Sequence, residues 1–177
     1  MARLLITAGN GEVIEGAVPV GVGLVDSSIG LAKLLSSPEG RGVTEIFFLG
    51  TIGSYGRLKP LQLVKSRRGV QIEPSHLFHN SYTPIDLKIE GGEGVWINSS
   101  NYITTSPMVA RRFLQMGIEG ESMEFYALLR TAQLFDLPLT GIFVVTNYTS
   151  PTAHLQYRRN LPIALQKLRE VARRLLL

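Results

Sequence analysis

Residues 117–147 read GIEGESMEFYALLRTAQLFDLPLTGIFVVTN, and the order of polar and apolar residues within them decides the fold. Gly117 and Gly120, with Glu119 between them, predict a turn. A helix is then expected to open on Met123-Glu124 and to end ahead of the break at Pro138. The apolar run Thr140–Thr146 reads as a buried strand that delivers Asn147 at its carboxyl end. A helix followed by a wholly apolar strand points to an α/β domain. In open α/β sheets, ligands gather beyond the carboxyl ends of the strands, which places Glu124 and Asn147 at one pocket. Taken alone, Glu124 could equally serve the dipole of its own helix, and Asn147 could be a turn former.

Outward from this unit, the 177 residues suit one domain over positions 1–177, with 45% hydrophobic and 18% charged residues. No uncharged apolar run of about 18 residues occurs, so no transmembrane helix is expected and the default compartment is the cytoplasm. The absence of cysteine removes thiolate and disulfide chemistry, and three scattered histidines offer no histidine-rich metal site. We therefore expect no metal and no cofactor. The net charge of +4 owes much to Arg158, Arg159, Lys167, Arg169, Arg173 and Arg174. Leu161, Leu165, Leu168, Ala172 and Leu175 share that segment at helical intervals, which favours a packed amphipathic helix with a solvated basic face over a nucleic-acid surface. Pro162 should start a new helical segment or kink the first.

The remaining elements follow from local patterns. Arg3–Ala8 is a first strand running into Gly9-Asn10-Gly11, with Glu12 just beyond. Ala17–Val25 is strand-like, and Asp26, Ser27 and Ser28 offer caps for a helix through Leu35. This segment lacks the full glycine spacing of a dinucleotide fingerprint. Val43–Gly56 is a strand entering a loop of small residues, a composition that lets the backbone present its amides to a ligand. Leu61–Ile72 reads as a hairpin turning at Arg67-Arg68-Gly69 at the sheet's edge, and Gly94–Tyr102 as a strand entering a polar turn. Ser106-Pro107 opens a helix through Gln115.

Four of these segments, in this order, resemble the purine nucleoside phosphorylase and methylthioadenosine/S-adenosylhomocysteine nucleosidase superfamily. They are AGNGEV at the first strand, FFLGTIGSYG at the small-residue loop, VWINSSNY, and the unit from Glu121 to Asn147. The resemblance implies a compact three-layer α/β domain with a mixed sheet, acting on the N-glycosidic bond of a purine nucleoside. It implies that Met123 and Glu124 grip the ribose, that Tyr102 stacks on the purine, and that the backbone at Ile103 holds the base edge. Thr51, Ile52 and Gly53 would meet the nucleophile beside the ribose, Glu12 would polarise an attacking water, and Asn147 would face the leaving purine.

Two departures shape these expectations. Phosphorolytic members place an arginine shortly before the small-residue loop, where this chain has Phe48 and Leu49, so water is favoured over phosphate as acceptor. The nucleosidases carry aspartate where this chain has Asn147. The Val-Thr-Asn ending resembles phosphorylases that prefer 6-oxopurines, which points to an inosine-like or futalosine-like nucleoside. The alternative is a family member that binds nucleosides with little or no catalysis. Family members commonly self-associate, so a homo-oligomer is expected, with neither nucleic acid nor membrane as partner.

Overall fold

The computed structural model describes residues 2–177. Strands β1 (Ala2–Thr7), β2 (Val18–Pro19), β3 (Val43–Ser54), β4 (Leu63–Val70), β5 (Lys88–Gly94), β6 (Trp96–Ser99), β7 (Ile118–Ser122) and β8 (Leu139–Tyr148) form one mixed sheet. The helices are α1 (Gly23–Leu35), α2 (Pro74–Leu77), α3 (Pro107–Gln115), α4 (Phe125–Leu134) and α5 (Ala153–Leu176), with a short 3₁₀ turn at Pro38–Gly40. Among the described residues, no helix is long and apolar enough to cross a membrane.

The longest pairing is between β3 and β8, parallel from Ile46↔Leu139 to Ser54↔Tyr148. Strand β8 also pairs antiparallel with β4, β4 runs parallel to β6, β6 is parallel to β7, and β7 returns antiparallel to β3. These five strands therefore close on themselves. Strands β1 and β2 extend the parallel part beyond β3, and β5 edges the other side along β4.

Strand alternation sorts the core into layers. On one face, Leu4, Ile6, Ile46, Phe48, Phe143 and Val145 pack with Leu31 of α1 and with Phe125, Leu128 and Leu129 of α4. On the other, Leu5, Phe47, Leu49, Ile142 and Val144 meet Ala164, Leu165, Leu168 and Ala172 of α5. Near-continuous apolar strands result because both faces are covered, as expected for a parallel sheet between helices.

Several local expectations are corrected. Residues 118–122 form β7 rather than a turn, because Ile118, Gly120 and Ser122 turn inward in strand alternation against β6 and β3. Arg67-Arg68-Gly69 lie inside β4; the antiparallel partner is β5, some 20 residues on, and the paired residues include Gly69↔Ile89. Pro162 lies within the unbroken α5, where packing of Ala164, Leu165 and Leu168 on the sheet offsets the lost backbone bond. Helix α1 begins at Gly23, ahead of the Asp26-Ser27-Ser28 run, and its N-terminal amides are met from elsewhere in the chain. The basic face of α5 is exposed at Arg158, Arg159, Arg173 and Arg174, while Lys167 donates to the Leu61 carbonyl at 2.8 Å and Arg169 to that of Val13 at 3.3 Å.

Helix α1 lies so close to the end of β2 that a methyl on Gly30 would stand 1.8 Å from the Val20 carbonyl oxygen. That neighbour is backbone, so the helix itself would have to move. Gly30→Ala is expected to cost about 1–3 kcal/mol, the usual range for overpacking, which should lower Tm by several degrees in a calorimetric scan. An unchanged Tm would show that this contact does not fix the position of α1.

Candidate active site

The carboxyl ends of β1, β3 and β8 open into a cavity of about 270 Å³. All nine residues singled out from the sequence line it: Glu12, Thr51, Ile52, Gly53, Tyr102, Ile103, Met123, Glu124 and Asn147. They come from five separated parts of the chain. Glu12, Glu124 and Asn147 are buried, at 8%, 7% and 6% exposure, whereas Tyr102 and Ile103 stand at the mouth at 78% and 58%.

Glu12 reaches the cavity because the backbone after β1 turns through left-handed conformations at Gly9, Asn10 and Gly11. This folds the chain back so that the Thr7 hydroxyl donates to the Glu12 carbonyl at 2.9 Å. The Glu12 carboxylate then accepts from the Thr51 hydroxyl on β3. Burial raises the Glu12 carboxyl to about 7; the Thr51 hydrogen bond opposes that rise and the nearby Glu124 charge adds to it.

Glu124 sits at the N-cap of α4 yet makes no side-chain bond to that helix. Its Oε1 accepts the Gly23 amide at the start of α1 at 3.0 Å, and its Oε2 accepts from the Ser122 hydroxyl at 3.2 Å. The carboxylate thus answers the positive end of a neighbouring helix dipole. Asn101 serves the adjacent Leu24 amide at 2.8 Å. Burial raises the Glu124 carboxyl, against these hydrogen bonds.

Asn147 depends on an irregularity in β8. Register advances from Ile52↔Val145 to Gly53↔Asn147, so Thr146 is the extra residue of a bulge. In a regular strand neighbouring side chains point to opposite faces; here Thr146 and Asn147 both line the cavity. The freed Thr146 carbonyl accepts from Asn160 Nδ2 of α5 at 2.7 Å. The Asn147 amide is oriented by the Thr146 hydroxyl, which donates to Oδ1 at 2.9 Å, and by its own donation from Nδ2 to the Tyr148 carbonyl at 3.2 Å.

In overall shape the chain matches solved structures along almost its whole length. Futalosine hydrolase of Helicobacter pylori superimposes with a TM-score of 0.79 at 15% identity, over 95% of this chain and 94% of that one. The 5'-methylthioadenosine/S-adenosylhomocysteine nucleosidase of the same organism gives 0.77 at 14%, over 96% of both chains. The corresponding nucleosidase of Colwellia psychrerythraea, in complex with adenine, gives 0.73 at 14%, over 92% and 89%. The fold is that of the nucleosidases. No family model matches the sequence, and no curated protein matches it significantly; at these identities the likeness is one of fold.

The nucleosidase fold here also carries residues that sequence reading missed. Glu121 of β7 lines the cavity, its Oε1 accepting the Thr104 amide at 2.9 Å and its Oε2 the Tyr55 hydroxyl at 3.0 Å. Burial raises its carboxyl, while the Thr104 and Tyr55 hydrogen bonds oppose the rise. His154 and Tyr157 of α5 line another wall, their rings stacked with centroids 6.2 Å apart. The Tyr157 hydroxyl is raised by burial, then by the charges of Glu12 and Glu124. Strand alternation with Ile118, Gly120 and Ser122 inward puts Glu121 on the other face of β7, so neither Glu121 nor His154 and Tyr157 carries a local signal for the cavity. Three carboxylates therefore share the cavity, and no lysine or arginine lines it. Arg57 is exposed beside Glu119, and Arg68 pairs with Glu90; neither lines the cavity.

The raised Glu12 carboxyl makes stability pH-dependent. Its folded value of about 7 exceeds the reference 4.5, so the folded protein holds this proton more tightly than the unfolded chain does. The resulting stabilisation is complete below 4.5 and is lost as pH rises through about 7. Relative to Glu12→Gln, the parent should lose on the order of 3 kcal/mol across that window. Denaturant unfolding of both proteins between pH 4.5 and 8 measures this, and parallel pH profiles would show that Glu12 titrates normally.

Proposed function

We propose that this protein cleaves the N-glycosidic bond of a purine nucleoside, with water as the acceptor. The observation that carries this reading is the gathering of the buried Glu12 and Glu124 and the half-buried Glu121 in one cavity that no lysine or arginine lines. Glycosidic cleavage builds positive charge on the sugar, which a cavity of carboxylates steadies, and a phosphate dianion finds no cationic partner there. The nucleosidase fold supports the same reading.

In this scheme Glu124, aligned by the Gly23 amide and the Ser122 hydroxyl, binds the ribose hydroxyls, with Met123 beside the sugar. Tyr102 covers the base plane at the cavity mouth and the Ile103 backbone meets the base edge. Glu12 accepts a proton from water held near Thr51, Ile52 and Gly53. Its value near 7 suits a general base at neutral pH, so kcat/KM should rise with pH through about 7. Asn147 donates an N–H to the departing purine. We further propose that the protein works as a homo-oligomer, as the resemblance implies, and in the cytoplasm, the default compartment.

Incubation of purified protein with inosine-like, futalosine-like and adenosine-like nucleosides, with and without phosphate, tests the proposal. Base release with free ribose in both buffers is expected. Ribose 1-phosphate as the main product would overturn water as the acceptor, and tight binding without release would leave a nucleoside-binding protein. One observation favours that second reading: an amide stands at position 147, and an amide has no proton to transfer.

The amide also sets a preference. Without general-acid help, a 6-oxopurine leaves better than adenine because its negative charge spreads onto O6. Such help contributes about 10² to 10⁴ in rate, so Asn147→Asp should recover part of that range selectively for adenine nucleosides. The measurement is kcat/KM for both substrate types in both proteins. A parent that already prefers adenine nucleosides would remove Asn147 from contact with the purine.

A further inference from the structure

Asn147 stands just past the reach of β4. That strand accompanies β8 only as far as Leu63↔Val144, and the residues before it, Leu61 and Gln62, bond to Val145. Beyond that point two side chains of α5 take over. Asn160 Nδ2 donates to the Thr146 carbonyl at 2.7 Å, and Gln156 Oε1 accepts the Tyr148 amide at 3.0 Å. Four residues apart, they share one face of the helix. Both are half-buried and neither lines the cavity.

The Thr146 carbonyl belongs to the peptide plane before the Asn147 Cα, and the Tyr148 amide to the plane after it. Peptide planes are rigid, so these two bonds fix both soft torsions of residue 147. The next plane is held as well, since the Thr149 amide donates to the Ser54 carbonyl at 2.9 Å. That plane carries the Tyr148 carbonyl, to which the Asn147 side chain donates. Such holding matters at a bulge, where the strand ladder is interrupted. The spare Nε2 of Gln156 donates to Thr152 Oγ1 at 3.0 Å, which keeps its Oε1 turned towards β8. Building on the proposed nucleoside cleavage, we propose that Asn160 and Gln156 are positioning residues that clasp the backbone on either side of Asn147 and aim its amide at the departing purine. Misplacing a catalytic group by about 1 Å costs about a hundredfold in rate, so loss of either bond slows the chemical step more than it weakens binding.

A double-mutant cycle on the best substrate among inosine-like, futalosine-like and adenosine-like nucleosides tests this. Asn160→Leu and Gln156→Met each keep the bulk of the side chain and remove its bond to β8. Either should lower kcat at least about tenfold while KM stays within about threefold. Gln156→Glu, which keeps an acceptor for the Tyr148 amide, should recover most of what Gln156→Met loses. In an Asn147→Ala background Asn160→Leu and Gln156→Met should change kcat by less than about twofold, because the group they position is gone. Equal losses with and without Asn147 would show that α5 merely supports the fold, and the positioning role fails while the nucleoside reading stands. It fails in the same way if only KM moves, or if Asn147→Ala cleaves as fast as the parent. A parent that cleaves none of the nucleosides removes the proposed function and this inference with it. Should Asn160→Leu not fold, the Gln156→Met and Gln156→Glu pair still decides, since both act on the Tyr148 amide alone and differ in whether they can accept it.

Discussion

The parallel pairing of β3 with β8 is the interaction on which the remainder depends. Its register puts Thr51, Ile52 and Gly53 alongside Val144, Val145 and Asn147, and the bulge at Thr146 changes which side chains face the cavity beyond that point. The same two strands supply Phe48 and Phe143 to one core layer and Phe47, Leu49, Ile142 and Val144 to the other. Since side chains alternate with period two, a slip of one residue would send every core residue of β8 to the wrong face and turn Asn147 away. Register is therefore specified by apolar burial on both sides, and the polar site inherits its geometry from that burial.

Three carboxylates drawn out of water, Glu12 and Glu124 buried and Glu121 half-buried, are costly to a fold, and each is compensated locally in a different way. Glu124 takes an amide from the start of α1, Glu121 takes a backbone amide and a phenol, and Glu12 takes a threonine hydroxyl. These donors do not undo the effect of burial, since all three carboxyls stay raised. A folded domain that tolerates such a cluster without a lysine or arginine in the cavity is poised to receive positive charge, and the raised values record how much its surroundings lack it.

Much of this arrangement was legible in the sequence where signals were local. Thr140–Thr146 reads as a buried strand because its centre is apolar without a break, and Ser106-Pro107 as a helix start because proline suits the first helical position, where the Ser106 hydroxyl accepts the Val109 amide. Signals failed where the partner is distant. β7 is short and glycine-bearing, so Gly117 and Gly120 imitate a turn until β6 and β3 flank it. The start of α1 carries no side-chain cap of its own, and its partners Asn101 and Glu124 lie 77 and 101 residues away. His154 and Tyr157 enter the cavity only because α5 lies across β8, which nothing in residues 150–160 announces. The resemblance to nucleosidases supplied candidate residues, while Glu121 became visible only through its neighbours.

The position of α5 bears on how the molecule comes into being. Asn160 satisfies the Thr146 carbonyl at the bulge, and His154 and Tyr157 form one wall of the cavity. These residues come after β8, and β8 itself pairs with β3 across about 90 positions of sequence. Emerging chains must keep an apolar β3 without its main partner until residue 148 is available, and contacts this distant in sequence form slowly. The ring of five strands closes only once β8 is made, and the cavity gains one of its walls when α5 docks. A chain that has emerged only as far as residue 150 would thus carry every carboxylate of the site and still lack the wall that α5 supplies, which makes the order of synthesis part of how the site is assembled.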